Sequence, residues 1–226
     1  MHRGGDLVVY YAPLEWVNAT AKLVLVDATP WKAQADFALT EANHALLEGA
    51  PVPEVLRRAN LAAAFARVTR ERVVTLLDHI GVHQWLGLSS SADLFGEASD
   101  LVQMTSVLQY PVFNNGENFR GGWHPERPDA SPADEGPLRK DGQSHARSGL
   151  YPGGRERIER RRVADQGRIL SKERVLHGLP HPRKEKAECT TYFLGERDRT
   201  DLDKGTNPDK LDAVRDYLRN AVAALK

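Results

Sequence analysis

The sequence has little cysteine and no long hydrophobic run. The single cysteine, Cys189, excludes an internal disulfide framework and any iron-sulfur cluster that takes four cysteine ligands from one chain. No apolar stretch approaches the roughly 18 to 20 residues that a membrane helix needs. Because 41% of the residues are apolar and 27% are charged, the composition is that of an ordinary globular protein. We therefore expect a soluble protein.

A net charge is also absent. The 31 basic and 31 acidic residues cancel, so no overall field draws the protein to nucleic acid or to a membrane surface. A nucleic acid or other polyanion would therefore have to bind to a local cluster of basic residues. One candidate is the arginine-rich stretch 153–168, although such a pattern is more typical of a solvated helix face. The N-terminal residues show no signal-peptide pattern, which predicts a cytoplasmic location.

Strands and helices alternate along the chain. The run Ala21–Trp31 is short, rich in β-branched residues and ended by a proline, which predicts a buried parallel strand. Apolar residues at helical spacing then predict three helices, the first ending at Gly49. Further strands are predicted at 101–108 and around 174–179, followed by a closing helix capped by Asn207. At 226 residues the chain is expected to form a single α/β domain, 1–226.

Residues 122–154 contain hardly an aliphatic side chain. Proline, glycine, aspartate and serine dominate this stretch. So long a loop inside a compact domain is typical of disorder or of a degraded region, and we expect a disordered or degenerate insert here. A shifted reading frame or a decayed gene would produce the same abrupt change in composition.

Three loops each follow a predicted buried strand. Ligands bind beyond the carboxyl ends of the strands in an open parallel sheet, so these loops are expected to share one cleft. The first loop offers a proline turn and Trp31, and the third offers His181 followed by several cations. The second offers Phe113 as a stacking surface and asparagine carboxamides that can read donors and acceptors on a flat heterocycle.

Each of these features also has a plain structural explanation. A proline terminates many strands, the sequence "NNG" is typical of a turn, and a lone histidine is more often structural than catalytic. A zinc site built from His177, His181 and Cys189 is a further alternative, but the ligand spacing is irregular and a fourth ligand is not evident. The placement of all three loops after strands is what favours a shared site.

The order of these motifs resembles the uracil-DNA glycosylase superfamily, specifically a bacterial branch of it. The resemblance covers about 23–119 and 175–211, and its motifs are "LVLVDATP", "LLDHIG" with "WLGL", "TSVLQYPVFNNGENF", "RVLHGLPHP" and "YFLG". It implies an α/β fold, a three-layer α/β/α sandwich around a largely parallel four-stranded sheet. One strand should lie within 122–168, where "SGLYPGG" is the nearest match, so that strand is expected to be degraded.

The resemblance also implies a reaction. Such an enzyme extrudes uracil from DNA and hydrolyses its N-glycosidic bond, without a metal or cofactor. His181 would be the donor that stabilises the departing uracil anion. Ala28, Thr29 and Pro30 fall in the first motif, which faces the sugar and the attacking water.

The second-loop residues would hold the base under the same resemblance. Phe113 would stack on uracil, and Asn114 or Asn118 would read its edge. Trp31 stands where relatives have a glycine that lets DNA or the base approach closely, so it would border the pocket.

Two motifs depart from the family pattern. Thr29 stands where characterised members commonly carry an acid or an amide, and threonine is no general base near neutral pH. Asp27 is the nearby carboxylate, although it could equally cap the next helix. After His181 and Pro182 the family usually has small residues, whereas this chain has three cations that suit phosphate contacts. These cations are Arg183, Lys184 and Lys186.

The sequence therefore predicts a monomeric glycosylase-like protein whose partner is uracil-containing or abasic DNA. His181, Thr29 and Asp27 are the candidate catalytic residues. Two alternatives are a non-catalytic binder of such DNA and an inactive remnant of the fold.

Overall fold

The computed structural model describes residues 2–4, 7–27, 29–65, 68–118, 149–152, 175–182 and 187–225. The strands in these ranges are β1 (His2–Gly4), β2 (Leu7–Val9), β3 (Leu23–Asp27), β4 (Val102–Ser106), β5 (Val112–Asn114), β6 (Glu117–Asn118), β7 (Gly149–Pro152) and β8 (Val175–Leu179). The helices are α1 (Lys32–Leu47), α2 (Val52–Ala63), α3 (Val68–His79), α4 (Val82–Leu86), α5 (Ala187–Leu194) and α6 (Pro208–Ala223).

One group of strands forms an antiparallel sheet in the order β1-β2-β5-β6. β2 pairs with β5, more than a hundred residues later in the chain, so that Leu7 lies opposite Asn114. β5 and β6 form a hairpin, and its turn residues Asn115 and Gly116 have φ angles of 50° and 79°. These left-handed values are what a tight Asn-Gly hairpin turn requires. The segment after β4 is therefore a hairpin, and the prediction of a loop at this position is wrong.

The other group contains parallel pairs in the order β4-β3-β7-β8. β3 and β4 pair along their whole lengths, from Leu23 opposite Val102 to Asp27 opposite Ser106. The pairing of β3 with β7 joins only Val24 and Leu25 to the shorter strand. Both faces of β3 are buried, as its run of β-branched and aliphatic residues predicts.

The expected fold class is wrong. A three-layer α/β/α sandwich around a largely parallel four-stranded sheet would gather the strands into one central sheet. The described strands instead divide between two groups, one of them antiparallel, and the protein is of mixed α/β class. The division arises because β5 turns away after β4 and pairs with β2, for which the resemblance gave no expectation.

The expected insert 122–154 is described only at β7, Gly149–Pro152. This strand falls within "SGLYPGG", the nearest match to the strand expected to be degraded. The rest of the insert, 122–148 and 153–154, lies outside the described residues, as does the arginine-rich stretch 153–168.

The main hydrophobic core lies between the parallel strands and helices α3 to α6. Its fully buried side chains include Leu25 of β3, Leu76 of α3, Phe193 of α5 and Leu218 of α6. A second cluster joins α1 to α2 through small side chains, which allow the two helix axes to approach closely. Its buried members are Ala38, Ala42, Ala45, Val55, Ala59 and Ala63.

The closing helix begins as its sequence predicts. The side-chain oxygen of Asn207 accepts a hydrogen bond from the backbone amide of Lys210 at 3.0 Å, and Pro208 occupies the first turn. This confirms the predicted cap. None of the helices in the described ranges is both long and apolar enough to span a membrane.

Candidate functional site

A cavity with both polar and apolar walls lies where β3 and β4 end. Asp27 and Ser106 are opposite each other in the last register position of the two strands, and both line this cavity. The cavity volume is about 30 Å³. That is room for about two water molecules. Its polar walls are Asp27, Gln34, Asn60, Thr105, Ser106 and Gln109.

The first loop contributes one residue to the cavity wall and another that is hydrogen-bonded to the second loop. Pro30 is buried and lines the cavity. Thr29 is only 1% exposed, and its hydroxyl lies 3.4 Å from the carbonyl oxygen of Tyr110. Because that oxygen can only accept, the hydroxyl donates to it, and Thr29 thereby joins the first loop to the second. Ala28 lies outside the described residues.

Trp31 stands at the junction of the first loop and α1. Its side chain is partly buried, and its backbone amide donates to the side-chain oxygen of Gln34 at 2.9 Å. The nitrogen of the same Gln34 side chain donates to the carbonyl of Ala63 at 3.2 Å. Gln34 therefore connects the start of α1 to the end of α2 and forms the cavity wall between them.

The second-loop residues belong to the hairpin β5-β6. Phe113 is 8% exposed, and its ring meets that of Tyr10 edge to face, with centroids 5.2 Å apart. Asn114 is partly buried at the end of β5. Asn118 lies opposite Phe113, and its side-chain oxygen accepts from the backbone amide of Lys32 at 3.0 Å. Asn118 therefore fastens the hairpin to the first turn of α1.

The third loop is anchored to α3. His181 is partly buried and Pro182 is buried. The carbonyl of Pro182 accepts from the guanidinium of Arg72 at 3.2 Å. The three cations that follow, Arg183, Lys184 and Lys186, lie outside the described residues.

The described contacts join the first two loops directly. Thr29 reaches Tyr110, and the helix that follows the first loop is bonded to Asn118. For the third loop, one described contact is the hydrogen bond from Arg72 on α3 to the carbonyl of Pro182. The shared cleft of all three loops therefore stays a prediction.

Asn60 lines the cavity from α2 and is not among the site residues predicted from the sequence. It is 5% exposed, and its side-chain nitrogen donates to the carbonyl of Met104 at 3.3 Å. Its side-chain oxygen is buried and has no hydrogen-bond partner among the described residues. An unsatisfied buried acceptor costs about 1 to 3 kcal/mol. The available signal was a polar residue one helical turn after Leu56, on the face predicted to be buried.

Phe65 closes the cavity next to α2. It is a non-glycine residue with a positive φ of 44°, and its ring packs edge to face on Phe95. Such a backbone conformation costs about 1 to 3 kcal/mol and persists only where the surroundings hold it. Arg70 helps to fix the backbone conformation of Phe65, since its guanidinium donates to the carbonyl of Ala64 at 2.9 Å and lies over the Phe95 ring.

A tyrosine and a carboxylate lie together in the second loop. The hydroxyl of Tyr110 donates to Glu15 at 2.8 Å. Burial, and then this hydrogen bond and the charge of Glu15, raise the pKa of Tyr110 to about 12. Tyr110 therefore stays protonated near neutral pH and holds the loop whose carbonyl receives Thr29.

The alternative of a zinc site fails on geometry. Across the part of the chain that the structure describes, which includes His177, His181 and Cys189, no three His, Cys, Asp or Glu side chains group closely enough to hold a metal ion.

Comparison with known proteins gives one relative of unstated function. The chain is 35% identical over 122 residues to the uncharacterized protein YoxB of Bacillus subtilis (strain 168). The matched region is 54% of this chain and 48% of YoxB, so the chain spans about half the length of this relative. No protein-family model matches the chain, and no solved structure matches it. The similarity therefore connects this chain to YoxB over part of both sequences.

Proposed function

We propose that this protein recognises uracil in DNA and hydrolyses its N-glycosidic bond, in the manner of the uracil-DNA glycosylases that its motifs resemble. The observation that carries the proposal is the cavity at the carboxyl ends of β3 and β4, which Asp27 and Ser106 line. This is the position at which parallel strands present ligand sites, because the loops that follow them converge there. The extruded base would enter this cavity while the DNA stays outside.

Asp27 is the carboxylate best placed to act on water. It ends β3, lies opposite Ser106 and lines the cavity. Thr29 has its hydroxyl directed at the Tyr110 carbonyl and is not among the described residues that line the cavity. In this proposal Asp27 orients the attacking water and acts as its general base, a role that a carboxylate can take near neutral pH and a threonine hydroxyl cannot.

His181 would stabilise the departing base. Uracil leaves as an anion, and a hydrogen-bond donor aimed at its oxygen lowers the barrier to bond cleavage. Arg72 holds the loop that carries this histidine through the carbonyl of Pro182. The cations at 183, 184 and 186 follow directly in the sequence, and they would neutralise DNA phosphates beside the site. The protein would act as a cytoplasmic monomer without a cofactor.

A second candidate function is binding of uracil-containing or abasic DNA without catalysis. This alternative is favoured by the orientation of Thr29, whose hydroxyl donates to the Tyr110 carbonyl and which does not line the cavity. Under either candidate the base would enter only after a wall residue such as Phe65 moves, because about 30 Å³ holds two waters and not a pyrimidine ring. A site of that kind could recognise a base without holding the attacking water in line.

An oligonucleotide assay tests both candidates. Duplex and single-stranded oligonucleotides with one uracil are incubated with the full chain, treated with alkali to reveal abasic sites, and run in parallel on a gel-shift assay. We expect alkali-labile cleavage at the uracil. Binding without cleavage would favour the second candidate, and the absence of both would refute the proposal.

Three variants assign the roles. Asp27→Asn and His181→Ala should each lower the cleavage rate by about 10²- to 10⁴-fold, the usual contribution of acid-base groups. The matched control is Asp36→Asn, an exposed carboxylate of α1 whose ion-pair partner is Lys32. It should leave the rate unchanged. Cleavage that survives Asp27→Asn at the wild-type rate would remove Asp27 from the mechanism.

A further inference from the structure

A second cavity lies between the C-terminal ends of α3 and α6, beside α4. Its volume is about 430 Å³, within the range of roughly 300 to 1,000 Å³ that small-molecule sites occupy. None of the described residues that line it also lines the cavity where β3 and β4 end. Helix α3 contacts Pro182 near the third loop through Arg72, and it reaches the second cavity about two turns later at His79. The second cavity is therefore separate from the proposed glycosylase site.

Aromatic and aliphatic side chains form part of its wall. Gly81 ends α3 with a left-handed φ of +83° and leads directly into α4, which carries Trp85. Trp85 lines the second cavity, is partly exposed, and also packs against the main core. Ile80 and Val222 line it too, and each is 2% exposed. An indole ring beside buried aliphatic side chains suits a flat apolar ligand.

Arg219 places a positive charge at the second cavity. Its Nε donates to the carbonyl oxygen of His79 at 3.3 Å, and its Nη2 meets Nε2 of the same histidine at 2.9 Å. A guanidinium can only donate, so Nε2 of His79 is the acceptor. The described contacts therefore use one edge of the guanidinium and leave the edge formed by Nη1 and the second hydrogen of Nη2. Because Arg219 is exposed, a ligand can reach this remaining edge.

Arg219 is the one cation among the described residues that line the second cavity. His79 is neutral near pH 7, because burial and then the charge of Arg219 lower its pKa below the usual range. Asp78 also lines the cavity, but both of its oxygens are already acceptors, from the Ser90 hydroxyl at 2.8 Å and from the Ser91 backbone amide at 2.7 Å. A ligand would therefore meet a single available charge, and that charge is positive.

We propose that the second cavity binds a small organic carboxylate with a flat aromatic body. The carboxylate would pair with the remaining edge of Arg219, and the ring would stack on Trp85. Arginine matches a carboxylate in geometry, because two parallel N–H···O bonds form at once. A single cation also suits a monoanion better than a phosphate monoester, whose charge of about −1.5 to −2 would be only partly compensated.

The first experiment changes the ligand and leaves the protein intact. The full chain is titrated by calorimetry with 2-naphthoate, with the neutral 2-naphthamide and with 2-naphthyl phosphate. We expect 2-naphthoate to bind in a one-to-one ratio and the amide to bind at least about tenfold more weakly, because a charge-assisted pair is lost. Equal binding of acid and amide, or no binding of 2-naphthoate at millimolar concentration, would overturn the proposal. Tighter binding of the phosphate would overturn the assignment to carboxylates.

The second experiment changes the cation. Arg219→Gln should weaken 2-naphthoate at least about tenfold and make acid and amide bind alike, because the ionic pair is gone. The matched control is Arg199→Gln, at an exposed arginine that pairs with Asp209 and does not line the second cavity. It should keep the full preference for the acid. An Arg219→Gln protein that keeps this preference would remove Arg219 from the site.

A third experiment tests the position of the ligand. Ala223 is exposed and lines the second cavity, so Ala223→Phe should fill it and abolish binding of both acid and amide. Ala224→Phe, at the adjacent exposed alanine outside the described lining, should bind normally. Binding that survives Ala223→Phe would overturn the placement. If a thermal melt shows that Arg219→Gln does not fold, the ligand comparison and this alanine pair decide.

A second copy of the chain is the competing occupant. Sedimentation velocity would then show a dimer that 2-naphthoate dissociates, and this result would overturn the proposal of a small ligand. We expect a sedimentation coefficient that 2-naphthoate does not change. None of these measurements involves DNA, so their outcome does not depend on the proposed glycosylase activity.

Discussion

Gly178, near the end of β8 and just before the third loop, is a position at which even an alanine side chain should destabilise the protein. Its φ is +96°, a left-handed value, and a Cβ added there would lie 2.9 Å from a methyl carbon of Val214 on α6. The left-handed backbone costs a non-glycine residue about 1 to 2 kcal/mol. Forcing a methyl group into a packed contact adds about 1 to 3 kcal/mol. We therefore expect Gly178→Ala to lower the free energy of unfolding by about 2 to 5 kcal/mol.

The measurement is urea unfolding followed by circular dichroism. The matched control is Gly205→Ala, because a Cβ at that glycine would meet no atom within 4 Å and its φ is not left-handed. That change should be neutral or stabilise by about 0.4 to 1 kcal/mol, since alanine restricts the unfolded chain.

A double substitution separates the backbone cost of Gly178→Ala from the cost of its steric contact with α6. Val214→Ala removes the methyl carbons that an alanine at 178 would meet, but it leaves the left-handed backbone unchanged. In that background Gly178→Ala should cost only about 1 to 2 kcal/mol. A Gly178→Ala protein whose stability lies within about 0.5 kcal/mol of wild type would refute the reasoning about both the backbone and the α6 contact.

Three further predictions concern other parts of the fold. Asn18→Ala should destabilise by about 1 to 3 kcal/mol in urea, because the Asn18 amide donates to the carbonyls of Asp100 and Val102 and these would be left unpaired. Asn207→Ala should cost about 1 kcal/mol by removing the cap of α6, measured in the same way. The free energy of unfolding should fall as the pH rises from about 10 to about 12, because the folded chain holds the Tyr110 proton more tightly than the unfolded chain, where the pKa is 10.0, and Tyr110→Phe should flatten this fall.

Each of these three has an outcome that contradicts it. Asn43→Ala serves as the exposed control for Asn18, and an equal effect of the two changes would show that the buried bonds contribute nothing. An unchanged midpoint for the Asn207 variant would mean that water caps α6 equally well. A wild-type pH profile that matches that of Tyr110→Phe would show that the phenol proton is not held more tightly in the folded protein.

Local features of this fold were predictable from the sequence. The buried strand β3 follows from an unbroken run of aliphatic and β-branched residues ended by Pro30. Helix α1 follows from the spacing of its alanines, and it ends before Gly49, whose φ is +77°. Both signals depend on residues close together in the chain, so no tertiary information was needed.

The antiparallel sheet depends on a pairing that no local pattern encodes. The short strand β2 has only three residues, and its partner β5 lies more than a hundred residues away. The Asn115-Gly116 sequence is typical of a hairpin turn, but the strand β2 that pairs with this hairpin has no local signal of its own. The predicted fold class is therefore wrong, although the strands β3, β4 and β8 were predicted.

The candidate site also contains residues that local sequence predicts and residues that only the tertiary structure brings to it. The sequence points to Asp27 and Pro30 because they lie at the end of the run that predicts a buried strand, and both line the cavity. Asn60 comes from a helix that crosses to the end of β4, where it meets Met104, and that neighbour could be known only from the tertiary arrangement. Thr29 belongs to the same loop, but the direction of its hydroxyl depends on Tyr110, far along the sequence.

The pairing of β2 with β5 has a consequence for synthesis of the protein on the ribosome. At about 5 to 20 residues per second, β2 is synthesised roughly 5 to 20 seconds before its partner β5. Asn118 follows in the same hairpin and completes the start of α1. The start of α1 is therefore completed only after residue 118 has been synthesised, and until then strand β2 must be kept from pairing with another chain.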